Sequence, residues 1–373
     1  TPVVNGNTLS NMTLSALGRY SYATQSVRTT DVSQYASGRD WAIRLTSTAG
    51  NPARLDYLAL HYSRSITPAS GYVAFSVSDA RPVSYKISSA GPVVMRIGEP
   101  GAPACIMQGT QNGTEYEVTV DDGSRRYVAF EPDYEFPQPT VVGEIENQNL
   151  HGLDSIDMVI IVPASDKLTS QAERLAEAHR THDGLRVEVV RADRIYNEFS
   201  SGTPDATAYR RLMKMLYDRA GSDDVAPRYL LLFGYCAWDN RMLSTAWRNY
   251  NPDDYLLCFE SENSFSDTQS YVLEDYFGLL DDGEGARHTT DKVDLGVGRF
   301  PVTNAKEAKI MVDKTISFLT NGNAGTWKNQ VWMLGDDGDN NGHLKMADGV
   351  AEEVMQRNPE LEVRKVMWDA YTR

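Results

Sequence analysis

The pattern of apolar and polar residues changes character part-way along the chain. Up to about residue 135 it alternates with a period of two between turn signals, as half-buried strands require. The segments that show this are Trp41–Leu45, Leu55–Tyr62, Tyr72–Val77, Tyr85–Ile87, Val93–Ile97, Tyr116–Val120 and Tyr127–Phe130. Asp121–Ser124 reads as a tight hairpin loop joining the last two. So many short strands without a helix predict a β-sandwich over residues 1–135. Pro132, Pro137 and Pro139 then mark a stiff linker, placed at 136–155, because proline donates no ladder hydrogen bond.

From about Ile156 the runs lengthen. Met158–Val162 is unbroken apolar sequence, the signature of a strand covered on both faces. A helix is predicted over Ser170–His182, with Leu175 and Ala178 on one face and Gly184 placed as its cap. Leu185–Val190 is the next strand. Ala206–Ala220 is a second helix with Leu212, Met215 and Leu216 as its buried stripe, and Tyr229–Phe233 is another doubly buried strand. This βαβαβ order predicts a parallel sheet with helices on both faces over residues 156–373. After an insertion the pattern resumes with strands at Asp294–Gly298, Gln330–Leu334 and Glu362–Val366, and helices at Asn304–Leu319 and Leu344–Gln356. No Gly-x-Gly-x-x-Gly follows a strand, which argues against a dinucleotide site.

Charge refines this division. The formal net charge is −15, but residues 1–136 hold 11 basic against 12 acidic groups, so the remainder carries 25 against 39. An acidic second half excludes a nucleic-acid partner, which needs a basic face. It is compatible with calcium, a basic substrate or solubility alone, and solubility is the expectation. Apolar residues make up 41% and charged residues 23%, ordinary for globular protein, and no run is long enough to span a membrane. Thr1 follows no basic-then-apolar leader, as expected of a mature exported chain or of a piece of a longer one. Cys105, Cys236 and Cys258 match no zinc spacing; a Cys236–Cys258 disulfide is compatible with the count, but reduced core thiols are the expectation.

In a doubly wound sheet, ligands gather beyond the carboxyl ends of the strands. Three such ends stand out: Gly234–Arg241, Gly335–His343, and Glu274–Glu284 leading to Gly298–Pro301. The Gly335–His343 loop sets Asp336, Asp337 and Asp339 beside His343. Such carboxylates bind calcium, orient a catalytic imidazole or accept a substrate cation, and a solvated turn is the plain alternative. It lacks the position-twelve Glu of an EF-hand. Asp281, Asp282, Glu284 and Asp291 form a second acidic loop, a solvated turn or a metal site. Arg299 is expected to pair with these carboxylates as structure. No Gly-x-Ser-x-Gly or His-Glu-x-x-His occurs. Cys236 and His343 both follow strands, so a Cys–His dyad is not forbidden, though a core or loop cysteine is the expectation. His61, His151, His179, His182 and His288 have no convergent partner in the pattern.

Five segments occur in order at these strand ends: Asn147–Leu153, Tyr229–Gly234, Asp275–Asp282, Gly298–Val302 and Leu334–Asp339. Together they resemble the gingipain family of cysteine peptidases, most closely its cell-surface sortase branch serving type IX secretion. The resemblance implies a caspase-like fold of two α/β subdomains, preceded by a β-sandwich. The family's catalytic His, in a Gly-His-Gly segment, and its Cys lie in the second subdomain. Neither segment occurs here, so only the first subdomain is matched and the dyad is carried onto no residue. An acidic residue after the strand equivalent to Gln330–Leu334 supports the catalytic His in the family, which points to Asp337 first and Asp339 second. His343 or Leu344 stands where an arginine-specific member carries its pocket Asp, implying another specificity. Tyr235 stands where the family often places Asp, which weakens calcium at that loop.

The resemblance implies a parent enzyme that cuts C-terminal sorting domains from exported cargo through a thioacyl intermediate. The acyl group then passes to water or to a lipopolysaccharide amine. Its partners would be cargo sorting domains and other type IX components, and its place the outer membrane or cell surface. No cofactor is required, and structural calcium is compatible. This chain alone is expected to be inactive. The alternatives are a general gingipain-like secreted protease, or a non-catalytic cargo- or glycan-binding module displaying Tyr57, Tyr62, Tyr72 and Tyr85.

Overall fold

The computed structural model describes residues 1–16, 18, 24–36, 38, 40–47, 54–68, 71–99, 103–222, 225–261, 268, 270–286 and 290–371. It divides into two compact units, Thr1–Asn11 with Val32–Glu146, and Met12–Asp31 with Asn147–Arg373.

Among the described residues the first unit has ten short strands. β1 (Pro2–Val4), β2 (Asn7–Thr8) and β3 (Ile43–Leu45) form a small antiparallel sheet. There follow β4 (Tyr72–Phe75), β5 (Val83–Ser88), β6 (Val93–Arg96), β7 (Cys105–Met107), β8 (Thr110–Asn112), β9 (Glu115–Val120) and β10 (Tyr127–Phe130). They make two antiparallel sheets, ordered β4–β10–β6–β7 and β5–β9–β8. Alternate residues from both sheets share one core: Val73, Val94, Tyr127 and Ala129 from the first, and Tyr85, Ile87, Val118 and Val120 from the second. Burying each of the Val and Ile side chains contributes roughly 1.5–3 kcal/mol.

Two expectations are corrected here. The Asp121–Ser124 loop is not a hairpin, because β9 pairs with β5 and β8 while β10 pairs with β4 and β6. The loop crosses between sheets, held by the Tyr85 and Tyr127 hydroxyls donating to the Gly123 and Asp122 carbonyls at 2.8 and 2.7 Å. Leu55–Tyr62 forms no ladder, and Leu55, Tyr57, Leu58 and Tyr62 remain exposed. Its alternation specifies a face, but among the described residues no strand edge pairs with it.

In the second unit β11 (Met158–Val162) lies inside a four-stranded parallel sheet with β12 (Val187–Arg191), β13 (Tyr229–Phe233) and β14 (Gly296–Phe300), ordered β12–β11–β13–β14. The helices are α1 (Thr169–Ala178), α2 (Ala192–Phe199), α3 (Thr207–Arg219) and α4 (Ala305–Leu319). Ile160 and Val162 pack with Leu175 of α1 and Val312 of α4, while Val159 and Ile161 pack with Ile195 of α2 and Leu212 of α3. Helices on both faces explain why β11 needs apolar residues at every position. α1 ends in a wider turn, His179–Asp183, capped by Gly184 at φ 67°.

The opposite, amino-terminal end of this sheet is tied by Asp157. Its carboxylate takes 2.8 and 2.9 Å hydrogen bonds from the Arg186 guanidinium and one of 3.1 Å from Arg228. Its carbonyl accepts from the N–H groups of Arg228 and Tyr229, so the starts of three strands meet at one residue.

The last elements depart from the expected continuous sheet. β15 (Gln330–Gly335) and β16 (Glu362–Met367) pair in parallel with each other as a separate two-stranded sheet, with α5 (Gly338–Arg357) between them in sequence. β15 is apolar at neighbouring positions, yet Trp332 and Leu334 are exposed, so only one of its faces is covered. No helix among the described residues is long and apolar enough to cross a membrane.

Candidate functional site

The sheet order turns back between β11 and β13, and the carboxyl ends of these strands are where such folds place ligands. β13 runs into Gly234, where a Cβ atom would come within 2.9 Å of Pro163 beyond β11, so glycine is needed for this close approach. Arg299, near the end of β14, is the hub of this region. It meets Glu274 through two hydrogen bonds of 2.9 and 3.1 Å and donates to the Gly234 and Leu257 carbonyls at 2.9 and 3.2 Å. Its side chain is 10% exposed, and every contact is to a structural partner. A guanidinium that is bidentate on a carboxylate and also bonded to two backbone carbonyls is a brace.

The second acidic loop folds differently from its linear grouping. Asp281, Glu284 and Asp294 bring carboxylate oxygens within 4.8 Å of one another. Burial and then the charges of Asp281 and Glu284 raise Asp294 above the usual carboxylate range, against the Leu280 N–H that donates to it at 2.6 Å. Asp282 turns away to Lys214 at 2.9 Å, which lowers its pKa, and Asp291 accepts from the Gly285 N–H at 2.9 Å. Asp294 carried no signal as a partner because it sits just before β14, ten residues beyond Glu284 in sequence.

The loop after β15 is open. Asp336 holds His343 Nδ1 at 2.8 Å and Asp339 approaches Nε2 at 3.4 Å. The hydrogen bond that Asp336 accepts from His343, and then the charges of Asp336 and Asp339, raise the His343 pKa. Asp337 sits at the start of α5, directly beyond the strand. Asp339, Asn340 and Asn341 follow in the left-handed region at φ 50°, 56° and 60°, a conformation that Asp and Asn tolerate better than other side chains. In the sequence Asp336 is one of an acidic run, and nothing in the spacing marks it as the imidazole's nearest partner.

His343 and Cys236 do not form a dyad. The groups that act on Cys236 are Cys258, Arg299, Glu274 and Glu260. His151 is held by Glu198 at 2.6 Å, and both His179 and His182 bind Asp183 at 2.7 Å. His288 lies outside the described residues. Among the aromatic candidates of the first unit, Tyr85 is buried, while Tyr57, Tyr62 and Tyr72 are exposed.

With this geometry in place, the comparisons decide the family. The profile of peptidase family C25 matches residues 151–373. The chain belongs to peptidase family C25, the gingipain family. A solved C25 relative is the dimeric latent PorU from Porphyromonas gingivalis, 32% identical, with a TM-score of 0.60 over 70% of this chain. The present chain spans only 26% of that structure. A second solved structure, described as a protease, is 14% identical at a TM-score of 0.39 over 57% of this chain and 40% of its own, and carries no argument. No curated protein matches the sequence. The C25 match covers β11 through β16, and so includes the Arg299 brace, both acidic loops and the Asp337 position.

Proposed function

We propose that this chain is part of a cell-surface cysteine endopeptidase of the sortase type, which removes C-terminal sorting domains from cargo of type IX secretion. The likeness to PorU over 70% of the chain is the observation that carries the reading. In this scheme a thiolate attacks the cargo peptide, an imidazole takes and returns the proton, and the thioacyl group passes to water or a lipopolysaccharide amine. Neither the imidazole nor the thiolate is assigned to a residue of this chain. The chain supplies the carboxylate that would hold the imidazole in its productive tautomer, Asp337 first and Asp339 second. Its position beyond the carboxyl end of β15 supports this role. His343, held by two carboxylates beside Asp337, would line the substrate side of the site. The reaction needs no cofactor. A structural calcium fits hard oxygen donors, and Asp281, Glu284 and Asp294 are the group that offers them. Export to the outer membrane surface belongs to the same proposal.

The test is cargo processing by the whole protein carrying Asp337→Asn. The expected loss is about 10²–10⁴-fold, the scale of a general-base contribution. Normal processing with Asp337→Asn but loss with Asp339→Asn moves the role by two residues, and normal processing with both rejects it. The exposed Tyr57, Tyr62 and Tyr72 favour a second reading, a glycan- or cargo-binding role for the first unit. Retained cargo binding after triple alanine substitution would exclude that role.

A further inference from the structure

A hollow of about 520 Å³ opens at the amino-terminal end of β15, lined by Phe318, Trp327, Lys328, Gln330 and Trp332. Phe318 comes from the end of α4, Trp327 and Lys328 from the short turn Thr326–Asn329, and Gln330 and Trp332 from β15 itself. The Asp336–His343 loop follows the opposite end of the same strand, so the hollow is separate from the peptidase site.

Three large aromatic side chains stay open here: Phe318 is 62% exposed, and Trp327 and Trp332 are 52% exposed each. The Trp327 indole N–H donates to the Asn323 carbonyl at 2.9 Å, which holds the ring in place. Cations stand beside all three rings. Lys328 Nζ is 4.8 Å from the Phe318 centroid and 5.6 Å from that of Trp327, and the Arg364 guanidinium is 5.2 Å from that of Trp332. Arg364 is neutralised by Glu362 at 2.6 Å, and the Gln330 amide N–H donates to the same carboxylate at 2.8 Å. Lys328 is different. Among the described residues it donates to the Asn321 amide oxygen, and no carboxylate pairs with it. The Gln330 amide oxygen likewise has no partner among them.

These polar groups decide what suits the rings. A dry apolar surface laid over them would bury the Lys328 charge without a counter-charge and leave the Gln330 carbonyl unbonded, both unfavourable. Nucleic-acid bases stack on such rings, but a strand of phosphates is repelled by a chain of net charge −15. A saccharide meets both demands. Its C–H face packs on aromatic rings, its hydroxyls both donate and accept, and one acidic substituent needs only the local Lys328 charge. A shallow concave site with aromatic walls and a few placed polar groups is the form such ligands require.

We propose that this hollow is a saccharide-binding site that takes a sugar ring carrying one acidic group. The ring stacks on Trp327 and Trp332, a hydroxyl donates to the Gln330 amide oxygen, and the carboxylate or phosphate pairs with Lys328. The site does not depend on the peptidase reading.

The test is binding of the folded 373-residue chain to a glycan array that carries neutral, uronic-acid and phosphorylated saccharides. The strongest acidic ligand is then titrated against the chain, with the indole N–H resonances followed by NMR. Saturable shifts are expected at Trp327 and Trp332, with affinity weakened about tenfold or more in Trp327→Ala and in Trp332→Ala. Lys328→Met keeps the aliphatic stem and should remove the preference for the acidic sugar over its neutral counterpart. Its exposed position leaves the fold intact, which an unchanged unfolding transition checks. Four results would overturn the proposal: no acidic saccharide bound on the array, affinity unchanged in both Trp variants, an acid preference that survives Lys328→Met, or binding lost only on substitution of Tyr57, Tyr62 and Tyr72, which would place the glycan on the first unit.

Discussion

Two loops at strand ends of the C25 region are built on opposite principles. Beyond β13 and β14, Arg299 is nearly buried and each of its hydrogen bonds goes to a fixed structural partner. Beyond β15, Asp336, Asp339 and His343 are 58%, 82% and 59% exposed at their side chains, on a backbone with three consecutive left-handed residues. Both loops are rich in charge, and charge alone does not tell them apart. Burial and saturation of hydrogen bonds do. A nearly buried guanidinium with four hydrogen bonds to fixed partners holds the fold, whereas an exposed carboxylate–imidazole group on an unusual backbone adds little stability and is available for chemistry.

The comparison is sharpened first by Arg299→Met. Removing the guanidinium leaves Glu274 and two carbonyls without their donor, so a loss of about 3–5 kcal/mol is expected in urea unfolding. A loss below about 1 kcal/mol would put Arg299 on the same footing as the open loop.

Glu198 is a second braced joint and gives a smaller effect. Burial pushes its carboxyl up, but the N–H groups of Leu150 and His151, the Gln148 amide and the His151 ring outweigh this and bring it to about 2. A folded pKa below the unfolded 4.5 gives stability that is present above pH 4.5 and lost as pH falls toward about 2. Glu198→Gln should therefore cost about 1.5–3 kcal/mol at neutral pH and much less at the acid end of that window. A difference independent of pH would show that the carboxylate charge is not what matters.

The smallest stability effect belongs to the open loop. Asp336→Asn should change stability within about 0.5 kcal/mol. It should also lower the His343 pKa measured by NMR titration, because the hydrogen bond that the Asp336 carboxylate accepts is the largest cause raising it. An unchanged pKa would assign the shift to Asp339 instead.

Much of the second unit was legible from periodicity. The all-apolar Met158–Val162 and Tyr229–Phe233 had one physical explanation, burial on both faces, and they are β11 and β13. Asn304, where the sequence predicts the start of α4, caps it, its side chain accepting from the Lys306 and Glu307 N–H groups. α2 was missed although Ala192, Ile195, Tyr196 and Phe199 form a helical stripe, because it begins directly after β12 with no breaker between them. The separate β15–β16 sheet was not legible, since an apolar strand does not state which neighbour it pairs with. The same limit explains the inter-sheet loop at Asp121–Ser124 and the unpaired Leu55–Tyr62. At the site, sequence singled out the charged loops, but Asp294 and the Asp336–His343 contact depend on chain folding that spacing does not record.

If the peptidase nucleophile is supplied from outside this chain, as proposed, Cys236 and Cys258 should not behave as active-site thiols. The most direct measurement is reaction of the folded chain with a peptide-based acylating cysteine inhibitor, following adduct formation at Cys236 and Cys258 by mass spectrometry. The account predicts no stoichiometric adduct at either residue and no saturation of the rate with inhibitor concentration. Rapid, saturable labelling of Cys236 would contradict it and place a working dyad within these 373 residues.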